Sequence, residues 1–132
     1  KTIAGVDYID DSYNANPDST IAAINTLAGK KCAGRRILVM GGMAELGDIS
    51  IAEHRQIGRA AVDAGIDCIL SVGELAEPIY NGAQSEMPGS AQHFENHQKC
   101  IDFLQQEVST GDLVLIKGSR SSAMERIMEE LG

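Results

Sequence analysis

Three polar segments of this 132-residue sequence carry the side chains that could do chemistry. The first, Asp10–Pro17, groups two carboxylates, a phenol and two amides, and the second, Gly41–Asp48, is rich in glycine around Glu45. The third, Lys117–Arg120, combines an ammonium, a hydroxyl and a guanidinium. Each segment directly follows a short run that is typical of a β-strand. Because ligands collect at the carboxyl ends of parallel strands, we expect the three segments at one edge of a sheet.

The third segment has the composition of a site for a carboxylate or a phosphate. A predicted strand ends just before it and a predicted helix begins just after it. Free backbone N–H groups, the helix dipole and two cationic side chains would therefore converge. The local pattern leaves one alternative open, a solvated turn whose cations pair with Glu125 or Glu129.

The first segment can cap a helix and still have side chains left for a ligand. Asn16 is followed by a proline, which predicts that Asn16 is a helix N-cap. Capping needs only one polar side chain. Asp11 at a strand end could accept hydrogen bonds from ribose hydroxyls, and Tyr13 or Asn14 could border a base. The two adjacent Asp residues could hold Mg²⁺, but no third oxygen ligand is evident.

The second segment matches neither of the common nucleotide loops. A Walker A loop has Lys and then Ser or Thr after its second Gly, whereas Asp48 follows Gly47 here. The spacing also differs from the dinucleotide fingerprint, which opens a helix at once. Taken alone, the second segment is predicted to be a packing loop at the end of the sheet.

Composition narrows the class of protein. The formal net charge of −8 argues against a general role on nucleic acid or on an anionic membrane surface. The apolar runs are too short to span a bilayer. Three widely spaced cysteines exclude a fully paired disulfide framework and a familiar zinc spacing, so we expect reduced thiols. The three histidines, His54, His93 and His97, show no metal spacing and are expected at the surface or partly buried.

Five repeats of strand, turn and helix must position these segments. The strands are predicted at Val6–Asp10, Ile37–Met40, Cys68–Val72, Ala91–Phe94 at a sheet edge, and Leu113–Ile116. The helices are predicted from Pro17 to Gly29, from a capping box Ser50-x-x-Glu53 to Gly65, over Glu74–Ala83, from an Asn96 cap to Val108, and from a second capping box Ser122-x-x-Glu125. This alternation predicts an α/β domain with a mainly parallel sheet flanked by helices on both faces.

Together the three segments resemble the Mur ligase family. The resemblance covers nearly the whole chain, in the family's order and spacing, and rests on Asp10-Asp11-Ser12-Tyr13-Asn14-Ala15-Asn16-Pro17, Met43-Ala44-Glu45-Leu46-Gly47, and Lys117-Gly118-Ser119-Arg120-Ser121 with Met124-Glu125. These versions are similar to those of the branch that adds D-alanyl-D-alanine. The branches that add L-Ala, D-Glu or a diamino acid differ in all three. Gly42 stands where the family usually has Asp, which leaves the role of its loop open.

The resemblance implies that residues 1–132 form the Rossmann-like C-terminal domain of a ligase with an N-terminal UDP-sugar domain and a central ATPase domain. ATP would phosphorylate the carboxylate of UDP-N-acetylmuramoyl-tripeptide, and D-alanyl-D-alanine would attack the acyl phosphate. The phosphate loop and the main Mg²⁺ ligands would belong to the central domain. We expect a cytoplasmic, monomeric protein that binds no nucleic acid and does not insert into membranes, with this domain inactive alone.

The resemblance also implies roles for single residues. Asp11 is similar to the family's acidic contact to the ATP ribose, and Tyr13, Asn14 and Asn16 are similar to residues on the nucleotide side of the interdomain cleft. No catalytic residue and no metal ligand is predicted within this domain alone.

The incoming amine is assigned to the third segment. Lys117, Ser119 and Arg120 match the loop that faces it, and our physical interpretation makes them the holders of the dipeptide's carboxylate. Two alternatives remain: a sibling ligase with another amino-acid substrate, and a free-standing flavodoxin-like binding or receiver module. In a receiver module, Asp10, Asp11 and Lys117 would imitate the phosphoacceptor site.

Overall fold

The structure, a computed structural model, describes residues 1–132. Its strands are β1 Thr2–Ile3, β2 Val6–Asp11, β3 Arg36–Met40, β4 Cys68–Val72, β5 Ala91–Phe94 and β6 Leu113–Lys117. Its α-helices are α1 Pro17–Gly29, α2 Ser50–Asp63, α3 Glu77–Glu86, α4 His97–Glu107 and α5 Glu125–Leu131. Short 3-10 turns cover Gly47–Ile49, Glu74–Ala76 and Arg120–Ser122. None of the helices has the length and apolar character needed to cross a membrane.

The six strands form one sheet in the order β1-β2-β6-β3-β4-β5. All neighbouring pairs are parallel except β1 with β2, which form a short antiparallel pair. The predicted α/β class with a mainly parallel sheet is therefore confirmed, and β5 lies at an edge as predicted. The two-residue strand β1 was not among the predicted elements.

Helices cover both faces of the sheet, which gives the predicted three layers. Alternate residues of β3 point to opposite sides, so Leu38 and Met40 pack with α1, α2 and α3, whereas Ile37 and Val39 pack with α4 and α5. Crossovers between parallel strands are right-handed. The helices that follow β2, β3 and β4 therefore share one face, and α4, which returns the chain to β6, lies on the other.

Two of the predicted helix caps are confirmed. The Asn16 Oδ1 atom accepts a hydrogen bond from the backbone N–H of Ser19 at 2.8 Å, and Asn96 Oδ1 accepts one from the N–H of Lys99 at 2.9 Å. In both caps the two bonded residues are three positions apart in the sequence, and the cap residue has extended backbone angles. A short-range pattern was therefore sufficient to predict them.

The two predicted capping boxes are wrong. Helix α2 begins at Ser50 itself and α5 begins at Glu125, and each has an N-cap residue without a side-chain hydrogen bond. A turn precedes both helices, so the backbone already has right-handed angles at the cap and no extended cap residue forms. The Ser122 hydroxyl instead donates to the carbonyl oxygen of Ser119 at 2.7 Å.

The third helix begins and ends later than predicted. Glu74–Ala76 forms a 3-10 turn, and α3 then runs from Glu77 to Glu86, beyond the predicted end at Ala83. Pro78 lies in the first turn of α3. A backbone N–H at this position would have no acceptor within the helix, so proline removes no helical hydrogen bond there.

Candidate functional site

The strand order brings the three polar segments together. Strand β6 lies between β2 and β3 and is parallel to both, with Asp11 and Met40 each in register with Lys117. The segments that follow these three strands therefore leave the sheet side by side at its carboxyl edge. This is the arrangement that the sequence led us to expect.

Lys117 joins the first and third segments from the inside. Its Nζ atom donates to Asp11 Oδ2 at 2.9 Å and to the carbonyl oxygen of Asn14 at 3.0 Å. Lys117 is only 2% exposed, whereas the Asp11 side chain is 45% exposed. Lys117 pairs with neither Glu125 nor Glu129, so the solvated turn proposed as an alternative does not form. The buried ammonium fixes the Asp11 carboxylate at the surface.

Arg120 is the exposed cation of the third segment. Its guanidinium carbon lies 5.2 Å from the centroid of the Tyr13 ring, a cation–π distance. Tyr13 itself is 74% exposed, the highest value among the large hydrophobic side chains. The phenol assigned to the nucleotide and the guanidinium assigned to the dipeptide are therefore direct neighbours.

An open cleft of about 470 Å³ lies at this edge of the sheet. Its lining is Asp10, Asp11, Ser12, Tyr13, Arg120 and Glu125. Within it, Asp10 is engaged locally, because its Oδ1 atom accepts hydrogen bonds from both the backbone N–H and the hydroxyl of Ser12. The Asp11 and Glu125 carboxylates, the Tyr13 phenol and the Arg120 guanidinium remain for a ligand.

The two asparagines assigned to the nucleotide side also have structural roles. The Oδ1 atom of Asn14 accepts from the backbone N–H of Ala15 at 2.9 Å, and that of Asn16 caps α1. Both residues are exposed. Only their amide NH₂ groups are left to meet a ligand.

Ser119 ties the third segment to the second. It is buried, and its backbone N–H donates to the carbonyl oxygen of Gly42 at 2.9 Å. The N–H of Gly41 in turn donates to the carbonyl oxygen of Lys117 at 2.8 Å. A Cβ at Gly118 would lie 3.3 Å from the Cα of Gly41, so glycine permits this close approach.

The position that usually carries Asp in the family is closed in this chain. A Cβ on Gly42 would lie 2.5 Å from Cδ2 of Leu75 and 2.8 Å from its Cβ. Gly42 is buried, and the Leu75 side chain occupies the space that a carboxylate would need. The second segment consequently contributes backbone atoms, but no carboxylate, at this point.

His54 is the residue of the site that sequence reasoning missed. It was expected at the surface or partly buried, but it is fully buried, and its Nε2 atom accepts from the backbone N–H of Met43 at 2.8 Å. Its Nδ1 lies 2.7 Å from the carbonyl oxygen of Ser50 and must carry the proton, since Nε2 is an acceptor. The positions of His54, Ile57 and Ala61 on one helix face could have indicated this burial.

Burial lowers the pKa of His54 below its usual value of 6.5. The hydrogen bond to the Ser50 backbone and the charge of Glu53 oppose the shift, but they are the smaller effects. The imidazole is therefore neutral at pH 7 and can accept the hydrogen bond from Met43. The other two histidines are partly buried, as predicted.

Beyond Met43 the second segment turns outward. Met43 is fully buried, and its sulfur accepts a hydrogen bond from the Thr20 hydroxyl at 3.6 Å. Two residues later Glu45 is exposed with φ of +65°, a left-handed backbone that is unfavourable for a residue with a side chain. The loop thus holds Met43 inside and presents Glu45 to solvent.

No three His, Cys, Asp or Glu side chains come together in a group that could hold a metal ion. Asp10 and Asp11, the adjacent pair considered for Mg²⁺, are bonded to Ser12 and Lys117 respectively. The residues of this chain therefore offer no complete Mg²⁺ site.

The family described as "Mur ligase, glutamate ligase domain" matches residues 1–120. The chain is 44% identical over 128 residues to the UDP-N-acetylmuramoyl-tripeptide–D-alanyl-D-alanine ligase of Escherichia coli K12. That alignment covers 93% of this chain and 26% of the E. coli protein. The chain thus spans about a quarter of the length of the curated relative.

Solved structures show the same fold. MurF from Acinetobacter baumannii superimposes with a TM-score of 0.86 and 34% identity, over 99% of this chain and 29% of that one. The MurF ligase from Thermotoga maritima, solved in complex with ADP, gives a TM-score of 0.82 and 28% identity, with the same coverage of 99% and 29%.

Proposed function

We propose that this chain, which belongs to the Mur ligase family, is the C-terminal domain of a ligase that adds D-alanyl-D-alanine to UDP-N-acetylmuramoyl-tripeptide in peptidoglycan synthesis. The observation that carries the proposal is the meeting of all three family segments at one edge of the sheet. The first and third line one cleft and are joined by Lys117 and Asp11, and the second is bonded to the third through Gly42 and Ser119. A relative 44% identical to this chain has that reaction in its name. The chain spans about a quarter of that relative, and in this proposal a UDP-sugar domain and an ATPase domain complete the enzyme.

The nucleotide would meet the first segment. Asp11 is the half-exposed carboxylate at the end of β2, and we assign it to the ATP ribose. Tyr13 and the amide groups of Asn14 and Asn16 would line the same side. An ADP complex of a structural neighbour supports a nucleotide as a ligand of the whole enzyme.

The dipeptide would meet the third segment. Arg120 is its exposed guanidinium, and a guanidinium can bind a carboxylate in a bidentate manner. In this proposal Arg120 contacts the dipeptide's carboxylate, whereas buried Lys117 and Ser119 hold the loop in place. The dipeptide's other end, the amine, would then point away from this domain and toward the central domain.

The reaction assigned to the complete enzyme is an acyl transfer. ATP converts the terminal carboxylate of the tripeptide to an acyl phosphate, and the neutral amine nitrogen then attacks the acyl carbon. A C–N bond forms, the C–O bond to phosphate breaks, and the nitrogen loses a proton. The contribution of this domain is to orient the amine and, on closing, to exclude water that would hydrolyse the intermediate.

Mg²⁺ would be held by the central domain, since the residues described here do not form a site for it. We propose that the enzyme acts in the cytoplasm, where ATP and UDP-linked precursors are available, and that it acts as a monomer.

A receiver module is not supported. Its phosphoacceptor would stand at the end of a central strand, whereas Asp10 and Asp11 end β2, next to the antiparallel strand at the sheet edge. The flavodoxin-like strand order also differs from the order found here. A sibling ligase with another amine remains the competing assignment that an experiment must exclude.

Phosphate release by the full-length protein tests the proposal. The protein is given ATP, Mg²⁺ and UDP-N-acetylmuramoyl-tripeptide, with D-alanyl-D-alanine, with single amino acids as controls, or with no amine. We expect release that depends on the dipeptide. Release only with a single amino acid and its cognate precursor would keep the family and overturn the substrate.

A further inference from the structure

We infer that His54 is a positioning residue for the dipeptide site, acting through the backbone of Gly42 and Met43. The inference rests on the proposed function, because it concerns the loop to which we assigned the dipeptide's carboxylate. His54 itself lies beneath the site and is fully buried, so it does not touch a ligand.

The contact of His54 with the second segment is a single, well-defined hydrogen bond. Nε2 lies 2.8 Å from the backbone nitrogen of Met43, and the Nδ1–H group is directed to the Ser50 carbonyl oxygen at 2.7 Å. The second bond holds the ring plane and fixes the tautomer with Nε2 as acceptor. Met43 is buried as well, so its N–H group would otherwise have no partner.

The backbone then connects this bond to the third segment. The peptide unit whose N–H belongs to Met43 carries the carbonyl oxygen of Gly42, and that oxygen accepts the N–H of Ser119 at 2.9 Å. One peptide plane is therefore held on one side by His54 and on the other by Ser119. Since a peptide unit is planar and rigid, a rotation that moves the Met43 N–H also moves the Gly42 carbonyl oxygen, and with it the bond to Ser119.

The position of Arg120 depends on this plane. Arg120 follows Ser119 directly, and the turn over Arg120–Ser122 begins there. Lys117 anchors the start of the loop to Asp11 independently of His54. Loss of the His54 bond should therefore loosen the Arg120 end of the loop and leave the Asp11 end, with the nucleotide side, in place.

A histidine buried only to fill the core would behave differently. It would contribute to stability, and its replacement by an apolar residue of similar size would be tolerated at the site. The hydrogen-bond acceptor at Nε2 is what separates the two roles.

The test uses the full-length protein with H54L, H54Q and H54N. Leucine fills the space without an acceptor, glutamine carries an amide oxygen at the reach of Nε2, and asparagine carries the same amide on a side chain shorter by one methylene. H93L is the matched control, because it removes a partly buried histidine whose side chain is bonded to Ser71 rather than to the second or third segment. Apparent KM values for D-alanyl-D-alanine and for ATP, kcat, and the Tm of each protein are measured.

We expect H54L and H54N to raise the KM for the dipeptide roughly ten-fold, the effect of one lost buried hydrogen bond, with the KM for ATP nearly unchanged. H54Q should restore most of the dipeptide affinity, and H93L should not alter it. Any of three results would overturn the inference. The dipeptide KM of folded H54N could be unchanged, the KM for ATP could rise in parallel, or the dipeptide KM of H54Q could be as high as that of H54N. If H54L does not fold, H54N against H54Q decides. Dipeptide-dependent phosphate release by the wild type is measured first. If the wild type releases no phosphate with the dipeptide, the proposed function is refuted, and this result is distinct from a failure of the inference about His54.

Discussion

Lys117 shows how a charged residue can organise a binding site without being exposed to the ligand. The sequence indicated an ammonium at a helix start, which is typical of direct anion binding, but the side chain is buried and bonded to Asp11 and Asn14. These partners lie 106 and 103 residues away in the chain. Such a contact depends on which strands are neighbours, and local sequence does not contain that information.

The Lys117–Asp11 pair gives an asymmetric prediction for stability. In D11A, the buried ammonium keeps only the Asn14 carbonyl, and we expect a loss of about 1–3 kcal/mol of unfolding free energy. In K117M, an apolar chain of similar length fills the space, and the half-exposed Asp11 is solvated by water, so the loss should be smaller. Urea unfolding of the two variants measures the difference. A larger loss in K117M than in D11A would contradict this account of the pair.

Arg120 gives a prediction for binding. Because its guanidinium is exposed beside Tyr13, R120A should raise the apparent KM for D-alanyl-D-alanine by roughly ten-fold or more, with a much smaller effect on the KM for ATP. R126A, which removes an exposed arginine from α5, is the matched control and should change neither value. An equal rise in both KM values for R120A would refute the assignment of Arg120 to the dipeptide.

The buried His54 predicts how stability changes with pH. Its pKa is lower in the folded chain than the usual 6.5, so below about pH 6.5 the unfolded chain binds a proton that the folded chain does not. Stability should therefore fall as the pH drops below 6.5, and above that value His54 should add no pH dependence. The nearby charge of Glu53 reduces the effect.

The measurement compares urea unfolding at pH 7.5 and pH 5.5 for the wild type and H54Q. Glutamine does not titrate, so H54Q should lose less stability than the wild type between the two pH values. An identical loss in both proteins would show that His54 does not titrate as its burial requires.

At the scale of elements, periodicity and local caps predicted most of the fold. The strands at Ile37–Met40, Cys68–Val72 and Leu113–Ile116 are apolar apart from Ser71, as is typical of buried parallel strands, and they were predicted almost to the residue. The capping box at Ser50 failed because a 3-10 turn runs directly into α2, and the one at Ser122 failed because Ser122 itself lies in a 3-10 turn that ends before α5. A motif of four residues cannot reveal that the preceding turn is already helical.

Helices α2 and α3 give a prediction about packing. Gly58 and Gly82 let the two helices approach closely, and a Cβ at Gly58 would collide with the Ile79 carbonyl oxygen and lie 2.7 Å from the Ala83 nitrogen. We therefore expect G58A to lose about 1–3 kcal/mol of unfolding free energy. G29A is the control, since a Cβ there meets nothing within 4 Å and should be neutral or slightly stabilising. Equal stabilities of G58A and G29A, by urea unfolding, would contradict the close packing.

At the scale of the whole molecule, the site exists because β6, the last strand in the sequence, is inserted between β2 and β3. The alternation of elements predicted that the three polar segments share an edge of the sheet, but it did not predict that they are neighbours or that His54 supports them. The resulting cleft is open. An open half-site fits the proposed function, in which this domain closes on another domain to bring an amine to an activated carboxylate.

The most direct test of the central claim is the mass of the ligation product. The full-length protein is incubated with ATP, Mg²⁺, UDP-N-acetylmuramoyl-tripeptide and D-alanyl-D-alanine, and the UDP-linked species are analysed by mass spectrometry. The account predicts that the acceptor gains one dipeptide and loses one water, and that R120A forms this product much more slowly at low dipeptide concentration. An acceptor that gains no dipeptide, but gains a single amino acid when one is supplied with its cognate precursor, would contradict the assignment.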